Sequence, residues 1–218
     1  MKGEAGSAQK YFDKVPQEWD ALYSSENWFM YIVNRFIRQG LFDRYALTFK
    51  YCGEVADKEV LDIGCGTGRF SVEFARRGAA RVTGLDFAGS MVDFSRKAAQ
   101  AMGFAERCDF VCADFLAQNF NRKFDIVIAM GFFDYIKDAQ VILRKIHSLT
   151  NGVFIASFPR PRLFWDIQRK IRYNLIKKCN IYSYTKKDLE RLYKAAGFSD
   201  FKIIQMGGGY FVAAKIHS

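Results

Sequence analysis

The sequence predicts an α/β protein built on a doubly wound sheet whose strands are mostly parallel. Between residues 59 and 158, five short apolar segments alternate with segments of helical spacing, and the connections are short. This alternation is typical of parallel strands joined by crossover helices. Near the C-terminus, two further apolar segments flank Gly207, Gly208 and Gly209, which indicates a closing antiparallel hairpin.

The elements follow one another in a simple order. From residue 11 to residue 52 the aromatic and aliphatic side chains recur at helical spacing, and such an apolar face must be buried against another layer. Residues 53–158 then form the core of the predicted sheet. Its strands are expected at 59–63, 81–85, 108–112, 124–129 and 152–158, and its helices at 68–77, 90–102 and 138–148.

The C-terminal third begins with a basic segment at residues 159–180, in which an apolar residue recurs every four positions from Leu163 to Leu175. This spacing predicts a basic amphipathic helix inserted between the fifth strand and the closing elements. Thr185 is expected to cap a helix over residues 186–196, and Gly197 to end it. Residues 181–218 would then supply a closing helix and the hairpin.

Composition limits the class of protein. The 218 residues suffice for one well-buried domain, and the net charge of +10 lies mostly in residues 151–218, which hold 13 Lys and Arg against four Asp and Glu. The five cysteines show neither disulfide nor metal-ligand spacing, and we expect Cys108 and Cys112 to be buried thiols. No leader or membrane-spanning segment is recognisable, so a cytoplasmic protein without a metal site is expected.

A glycine-rich turn stands between the first predicted strand and the first core helix. Gly64, Gly66 and Gly68 alternate with other residues, and helical spacing begins at Arg69. Such a turn lets backbone N–H groups approach a ligand without an intervening Cβ. Asp86 ends the second strand about twenty residues later, where a carboxylate meets the hydroxyls of a bound ribose.

The spacing of this turn does not fit the dinucleotide-binding fingerprint. That fingerprint requires a small residue at the position of Arg69. Instead, Asp62 followed by Gly64, Gly66 and Gly68 resembles the first motif of the class I S-adenosylmethionine-dependent methyltransferases. The resemblance covers residues 55–135 through motifs and residues 136–218 through element order. It implies a Rossmann-like fold in a single domain, with residues 11–52 as a helical cover.

The resemblance also implies S-adenosylmethionine as cofactor, with S-adenosylhomocysteine as product. In this reading Asp62 helps to hold the ammonium group, Asp86 binds the ribose hydroxyls and Asp114 accepts from the adenine amino group. Gly131 would line the methionine end together with Met130. The full set of implied cofactor residues is Asp62, Gly64, Cys65, Gly66, Gly68, Asp86, Phe87, Met91, Asp114, Phe115 and Met130.

Candidates for catalysis and acceptor binding rest on fewer observations. Asp134 and Tyr135 follow the fourth strand and are the catalytic candidates, although Asp134 could instead cap the following turn. The two histidines, His147 and His217, lie away from strand ends, so the sequence offers no evident histidine base. The acceptor-binding candidates are Tyr11, Tyr23, Phe132, Arg169 and Arg172.

The predicted function is transfer of a methyl group from S-adenosylmethionine to an O or N atom of a small-molecule acceptor. Two alternatives stay open: an RNA or tRNA methyltransferase that uses the basic C-terminal third, and a non-catalytic S-adenosylmethionine-binding protein. The basic segment itself could bind RNA phosphate, lie on an anionic membrane surface, recognise an acidic acceptor as part of a cap, or simply be a solvated face. We favour the cap, because insertions at this place cover the substrate site in the resembled family.

Overall fold

A computed structural model describes residues 42–161 and 181–216 of the chain. Within them lies one seven-stranded sheet with the strand order β3-β2-β1-β4-β5-β7-β6. The predicted fold class is therefore confirmed, and the predicted strand ends agree with the structure to within two residues. The strands are β1 (Glu59–Ile63), β2 (Arg81–Asp86), β3 (Cys108–Cys112), β4 (Phe124–Ala129), β5 (Thr150–Pro159), β6 (Asp200–Gln205) and β7 (Gly209–Lys215).

Helices cover both faces of this sheet. The first, α1, comprises the helical residues 42–51 at the end of the predicted cover, whose residues 11–41 lie outside the described part of the chain. A short 3₁₀ helix, Phe133–Tyr135, follows β4. The other helices are α2 (Arg69–Arg76), α3 (Gly89–Ala101), α4 (Ala139–Leu149) and α5 (Lys186–Ala196).

The order of the strands places a crevice at one edge of the sheet. The first five strands pair in parallel, whereas β7 runs antiparallel between β5 and β6. From β1 the chain continues outward to β2 and β3, and from β4 it continues outward in the opposite direction to β5. The loops that follow β1 and β4 therefore leave the same edge of the sheet and diverge. In open α/β sheets ligands bind outside the carboxyl ends of the strands at such a reversal.

The central strands are buried on both faces, so they are apolar at nearly every position. In β1, Val60 contributes to the apolar cluster under α1 and α2, while Leu61 and Ile63 contribute to the cluster under α4 and α5. In β4, Ile126 contributes to the cluster under α1 and α2, and Val127 contributes to the cluster under α4 and α5. Because side chains alternate across a strand, a continuous apolar run is what a doubly covered parallel strand requires.

The helix α1 is packed onto α2 by aromatic contacts. The ring of Phe49 lies 4.9 Å from that of Phe74, and the Arg77 guanidinium lies 3.9 Å from the Phe49 ring centroid. The other end of α1 reaches β7, where the rings of Tyr51 and Phe211 are 5.8 Å apart. These contacts hold α1 across the face of the sheet.

The closing elements follow the sequence prediction closely. Thr185 forms a capping box with Asp188 at the start of α5, and Gly197 ends that helix in the left-handed conformation at φ 104°. The predicted basic helix falls largely on residues 162–180, which lie outside the described part of the chain. Within residues 42–161 and 181–216, no helix combines the length and apolar content needed to cross a bilayer.

One expectation about the cysteines is wrong. Cys108 is half-buried and Cys112 is exposed, whereas both were expected inside the protein. The reason is that β3 is the edge strand of the sheet and Cys112 is its last residue. Cys52 and Cys65 are buried free thiols.

Candidate active site

The turn between β1 and α2 is held open by three left-handed glycines. Gly64, Gly66 and Gly68 have φ of 70°, 53° and 77°, a region that other residues adopt at a cost. The Leu85 carbonyl of β2 accepts from the N–H groups of Gly64 (2.7 Å) and Cys65 (3.0 Å). The turn is thereby fixed to the end of the neighbouring strand.

The three glycines differ in what surrounds them. A Cβ on Gly64 would lie 2.9 Å from Cδ2 of Phe132, and one on Gly68 would lie 2.7 Å from Cβ of Ser95. These two glycines therefore allow other parts of the protein to approach the turn. Among the described residues, no atom lies within 4 Å of a Cβ on Gly66, so a ligand can approach the backbone there.

The carboxylate of Asp86 accepts hydrogen bonds from two loops, the glycine turn after β1 and the loop after β2. Its Oδ2 accepts from the Gly66 N–H at 2.9 Å, and its Oδ1 accepts from the Ala88 N–H at 3.0 Å. With 7% of its surface exposed, it lies beside the open space above Gly66. The sequence-based pairing of the glycine turn with the acid of β2 thus corresponds to a direct contact.

Beneath the turn lies a second carboxylate, that of Asp62. It is 2% exposed, and its Oδ2 accepts from the Ser71 hydroxyl at 2.7 Å. Burial raises the pKa of Asp62 to about 7, opposed by the Ser71 hydrogen bond and assisted by the nearby charge of Asp86. Burial likewise raises the pKa of the Cys65 thiol, with further contributions from Asp62 and Asp86.

The loop after β3 brings Asp114 and Phe115 to the same edge. Asp114 is exposed, whereas Phe115 is 3% exposed in the apolar cluster under α4. The ring of Phe132 lies edge-on to that of Phe115 at 6.5 Å, and it also faces Gly64. Phe132 therefore connects the β1, β3 and β4 loops.

The remaining cofactor candidates lie in or next to elements that meet this edge of the sheet. Phe87 is half-buried after β2, and its carbonyl accepts from the Cys112 thiol at 3.8 Å. Met91 is 2% exposed in the first turn of α3. Met130 is half-buried at the end of β4 and packs against the cluster under α1.

Two further segments fix the loop that follows β4. The Gly131 N–H donates to the Ser157 hydroxyl of β5 at 2.9 Å. The Asp134 carbonyl accepts from the Tyr182 N–H at 2.9 Å, and the Tyr184 hydroxyl donates to the Ile136 carbonyl at 2.7 Å. The segment that precedes α5 thus holds the loop carrying the catalytic candidates.

Asp134 and Tyr135 themselves lie in the 3₁₀ helix. Asp134 is 9% exposed and Tyr135 is half-buried. The alternative that Asp134 caps the following turn is wrong, because the residue lies inside the 3₁₀ helix and Asp138 is the N-cap of α4. The other acceptor candidates, Tyr11, Tyr23, Arg169 and Arg172, lie outside the described residues.

Sequence reasoning missed Arg44. Its Nη1 lies 3.7 Å from where a Cβ would stand on Gly131, beside the methionine end of the predicted cofactor site. Its Nε is buried and has no hydrogen-bond partner among the described residues. No sequence signal marks Arg44, because only the docking of α1 brings it to the β4 loop. Ser157 was missed because only the pairing of β5 with β4 brings its hydroxyl to the Gly131 N–H.

The arrangement combines two buried carboxylates with one guanidinium at a single crevice. Asp62 and Asp86 lie at the β1–β2 end, and Arg44 lies at the β4 loop. A ligand that carries positive charge near the glycine turn and a carboxylate near Gly131 would complement this distribution. No atom of the described residues lies within 4 Å of a Cβ built on Gly66, so a group of such a ligand can approach the turn at this point.

Comparisons with known proteins agree with this architecture. Residues 60–152 match the family model described as a methyltransferase domain. The chain is 31% identical over 109 residues to a ubiquinone biosynthesis O-methyltransferase of Pseudomonas aeruginosa, covering 49% of this chain and 47% of the relative. A relative of the same name from Neisseria meningitidis is 33% identical over 98 residues, covering 44% and 41%. The chain thus matches less than half the length of these relatives.

Solved structures share the fold across more of the chain. Magnesium protoporphyrin IX methyltransferase from Synechocystis, with bound S-adenosylhomocysteine, superposes with a TM-score of 0.73 at 21% identity over 95% of this chain and 97% of that one. An S-adenosylmethionine-dependent methyltransferase from Mesorhizobium loti gives 0.65 at 19% identity over 79% and 97%. The family model, which covers less than half of this chain, agrees with the glycine turn and the shared fold in pointing to the class I S-adenosylmethionine-dependent methyltransferases.

Proposed function

We propose that this protein transfers a methyl group from S-adenosylmethionine to an O or N atom of a small-molecule acceptor and leaves S-adenosylhomocysteine. The observation that carries the proposal is the approachable backbone of Gly66, whose N–H donates to the Asp86 carboxylate while the Asp62 carboxylate is buried beneath the same turn. The relatives named as a ubiquinone biosynthesis and a magnesium protoporphyrin IX methyltransferase support a small-molecule acceptor.

The charges at the crevice suit this cofactor. S-adenosylmethionine carries a sulfonium, an ammonium and a carboxylate, so its net charge is positive. Asp62 would stabilise the ammonium end from beneath the glycine turn, directly or through water. Asp86 would accept from the ribose hydroxyls, because an ionised carboxylate offers two acceptor oxygens. Arg44 would pair with the carboxylate near Gly131.

The adenine would lie between the loops that follow β2 and β3. Asp114 would accept from its amino group, with Phe115 beside it. Phe87 and Met91 would pack on the other side of the ring. Phe132 would close the floor of the site, since it already contacts Gly64 and the Phe115 ring.

When bound, the cofactor supplies an already activated methyl group. The task of the chain is then to align the acceptor and exclude water, and such positioning can contribute up to about 7–11 kcal/mol. The apolar side chains of Met130 and Phe132 would exclude water. Asp134 and Tyr135 would touch the acceptor, and Asp134 would take its proton if the acceptor must lose one.

The chain would work as one methyltransferase domain. Residues 11–52 would form its cover, and residues 159–180 would form a cap that presents Arg169 and Arg172 to an acidic or amphiphilic acceptor. Tyr11 and Tyr23 would contribute to acceptor binding from the cover. The spacing of the five cysteines is consistent with a reducing, cytoplasmic location.

The proposal can be tested by incubating the protein with S-adenosylmethionine labelled in its methyl group and with separate small-molecule, RNA and protein fractions. We expect label in a low-mass product. Label in the RNA fraction would support the RNA alternative, and binding without transfer to any fraction would support the non-catalytic alternative. The Gly66→Val variant is the matched control, since its side chain would fill the open space.

A further inference from the structure

The loop after β3 contains a single helical turn at residues 114–118. The Asp114 carbonyl accepts from the N–H groups of Ala117 (3.1 Å) and Gln118 (2.9 Å). The Asp114 Oδ1 accepts from the Leu116 N–H at 2.7 Å, so the side chain caps the start of the turn. Among the described residues, Oδ2 of Asp114 accepts no hydrogen bond, so this is the oxygen a ligand would meet.

The end of this turn is capped by a side chain from a different element. The Nζ of Lys145, on α4, donates to the carbonyls of Phe115 (2.7 Å), Leu116 (3.0 Å) and Gln118 (2.5 Å). An ammonium group has three protons, and here all three are directed at main-chain oxygens of one turn. A cation at this end also complements the dipole of the turn.

Lys145 also contacts the side chains that the turn presents. Its Nζ lies 5.0 Å from the centroid of the Phe115 ring, which is itself 3% exposed. Burial lowers the pKa of Lys145, and the charge of Asp114 opposes this shift. Lys145 therefore interacts with the Phe115 ring and with the charge of Asp114 in addition to the backbone of the turn.

We propose that Lys145 is a positioning residue for adenine recognition: its ammonium fixes the turn at residues 114–118 and thereby sets where Asp114 and Phe115 meet the base. The proposal rests on the proposed function, in which this turn binds the adenine of S-adenosylmethionine. Lys145 acts through these two residues and need not touch the cofactor itself.

The experiment compares two ligands that differ only at the base. S-adenosylhomocysteine carries the adenine amino group, whereas S-inosylhomocysteine carries a carbonyl oxygen in its place, which a carboxylate rejects. We expect the wild-type chain to prefer the adenosyl ligand by tenfold or more in calorimetric titrations. In the Lys145→Met variant, which keeps the apolar stem, this preference should fall to about threefold or less, since a displaced Asp114 no longer distinguishes the bases.

The ratio of the two affinities separates positioning from a general structural role. General loosening of the site would weaken both ligands equally and leave the ratio unchanged, which would overturn the proposal. Arg144→Met removes an exposed charge from the same helix and should leave the ratio at its wild-type value. Lys145→Gln, which keeps hydrogen-bond donors, should give an intermediate ratio.

The remaining outcomes are also decisive. Should Lys145→Met not fold, Lys145→Gln carries the same comparison, and failure of both to fold would assign Lys145 a purely structural role. A wild-type chain that binds both ligands equally would refute base recognition by this turn while leaving the proposed function intact. A wild-type chain that binds neither would instead contradict the proposed function.

Discussion

The β1–β2 end of the sheet and the β5–α5 region differ in what their buried residues do. At the β1–β2 end lie two buried carboxylates and a turn of left-handed glycines. The β5–α5 region is filled with aromatic rings instead. Phe158 stacks on Phe133 at 4.3 Å, and Phe154 stacks on Phe198 at 5.6 Å.

This difference indicates that the β1–β2 end serves ligand binding and that the β5–α5 region serves stability. A desolvated carboxylate and left-handed backbone both cost free energy, and a ligand of opposite charge explains why they are kept together. Buried aromatic rings contribute free energy to folding and need no ligand to explain them. In the first region, substitutions of the groups that face the ligand should therefore act mainly on cofactor affinity, whereas substitutions in the second region should act on the free energy of unfolding.

The largest effect is expected from Phe154→Ala in the aromatic region. The ring of Phe154 is fully buried between those of Tyr193 (5.9 Å) and Phe198 (5.6 Å). Truncation should lower the free energy of unfolding by about 3–5 kcal/mol, measured by urea titration. The affinity of the folded fraction for S-adenosylhomocysteine should stay within about threefold of wild type. A larger loss of affinity would break the separation of the two regions.

The variants Gly68→Ala and Gly66→Ala should have smaller effects on the free energy of unfolding, but comparing them distinguishes a packing role from a ligand-binding role. At Gly68, left-handed strain and the contact with Ser95 should together lower the free energy of unfolding by about 2–4 kcal/mol. At Gly66 only the strain applies, at about 1–2 kcal/mol, but the new methyl group occupies the ligand space. Thermal unfolding and ligand titration of both variants measure the two effects.

Gly66→Ala should weaken S-adenosylhomocysteine binding at least as much as the more destabilising Gly68→Ala. If Gly66→Ala bound the ligand as tightly as wild type, the space above this residue would not be the cofactor site. The pair therefore tests the site independently of overall stability.

If Asp62 holds the ammonium group as proposed, the cofactor affinity should depend on pH. Because its pKa is raised to about 7, the carboxylate is increasingly protonated below that pH and no longer attracts an ammonium group. Affinity for S-adenosylhomocysteine should rise through neutrality and level off by about pH 8. Asp62→Asn keeps an acceptor for Ser71 and should abolish this contribution.

Asp62 should also make the free energy of unfolding depend on pH, but in the opposite direction: its contribution falls as the pH rises. Folding raises the pKa of Asp62, so the native state retains a proton that the unfolded chain releases above about pH 4. Its contribution to the free energy of unfolding is therefore lost as the pH rises from there through neutrality. A titration in which Asp62→Asn changed neither binding nor stability would contradict the assigned environment.

The smallest effect is expected from Tyr193→Phe. The Tyr193 hydroxyl is buried in α5 and has no hydrogen-bond partner among the described residues. Removing it should raise the free energy of unfolding by about 1 kcal/mol, since an unsatisfied buried polar group is removed. Cofactor affinity should not change. Destabilisation instead would indicate a partner for this hydroxyl.

The sequence could predict the fold because periodicity and local turn chemistry determine it. The alternation of apolar segments fixed the five parallel strands, and Thr185 and Gly197 marked both ends of α5. The exposure of Cys112 could not be predicted, because it depends on which strand lies at the edge of the sheet.

The candidate site was predictable where it depends on neighbouring positions in sequence. The glycine turn and Asp86 belong to a recognisable pattern, and the structure joins them by a hydrogen bond of 2.9 Å. Arg44 and Lys145 carry no such pattern. They reach the site only because α1 and α4 pack against the β4 and β3 loops, which are tertiary contacts.

The most direct test of the central claim is calorimetric titration of the full chain with S-adenosylmethionine, S-adenosylhomocysteine and NADH, alongside the Asp86→Ala variant. We expect both adenosyl ligands to bind and NADH not to bind, with an affinity loss of about 1–3 kcal/mol in the variant. Binding of NADH alone, or unchanged affinity in Asp86→Ala, would contradict it.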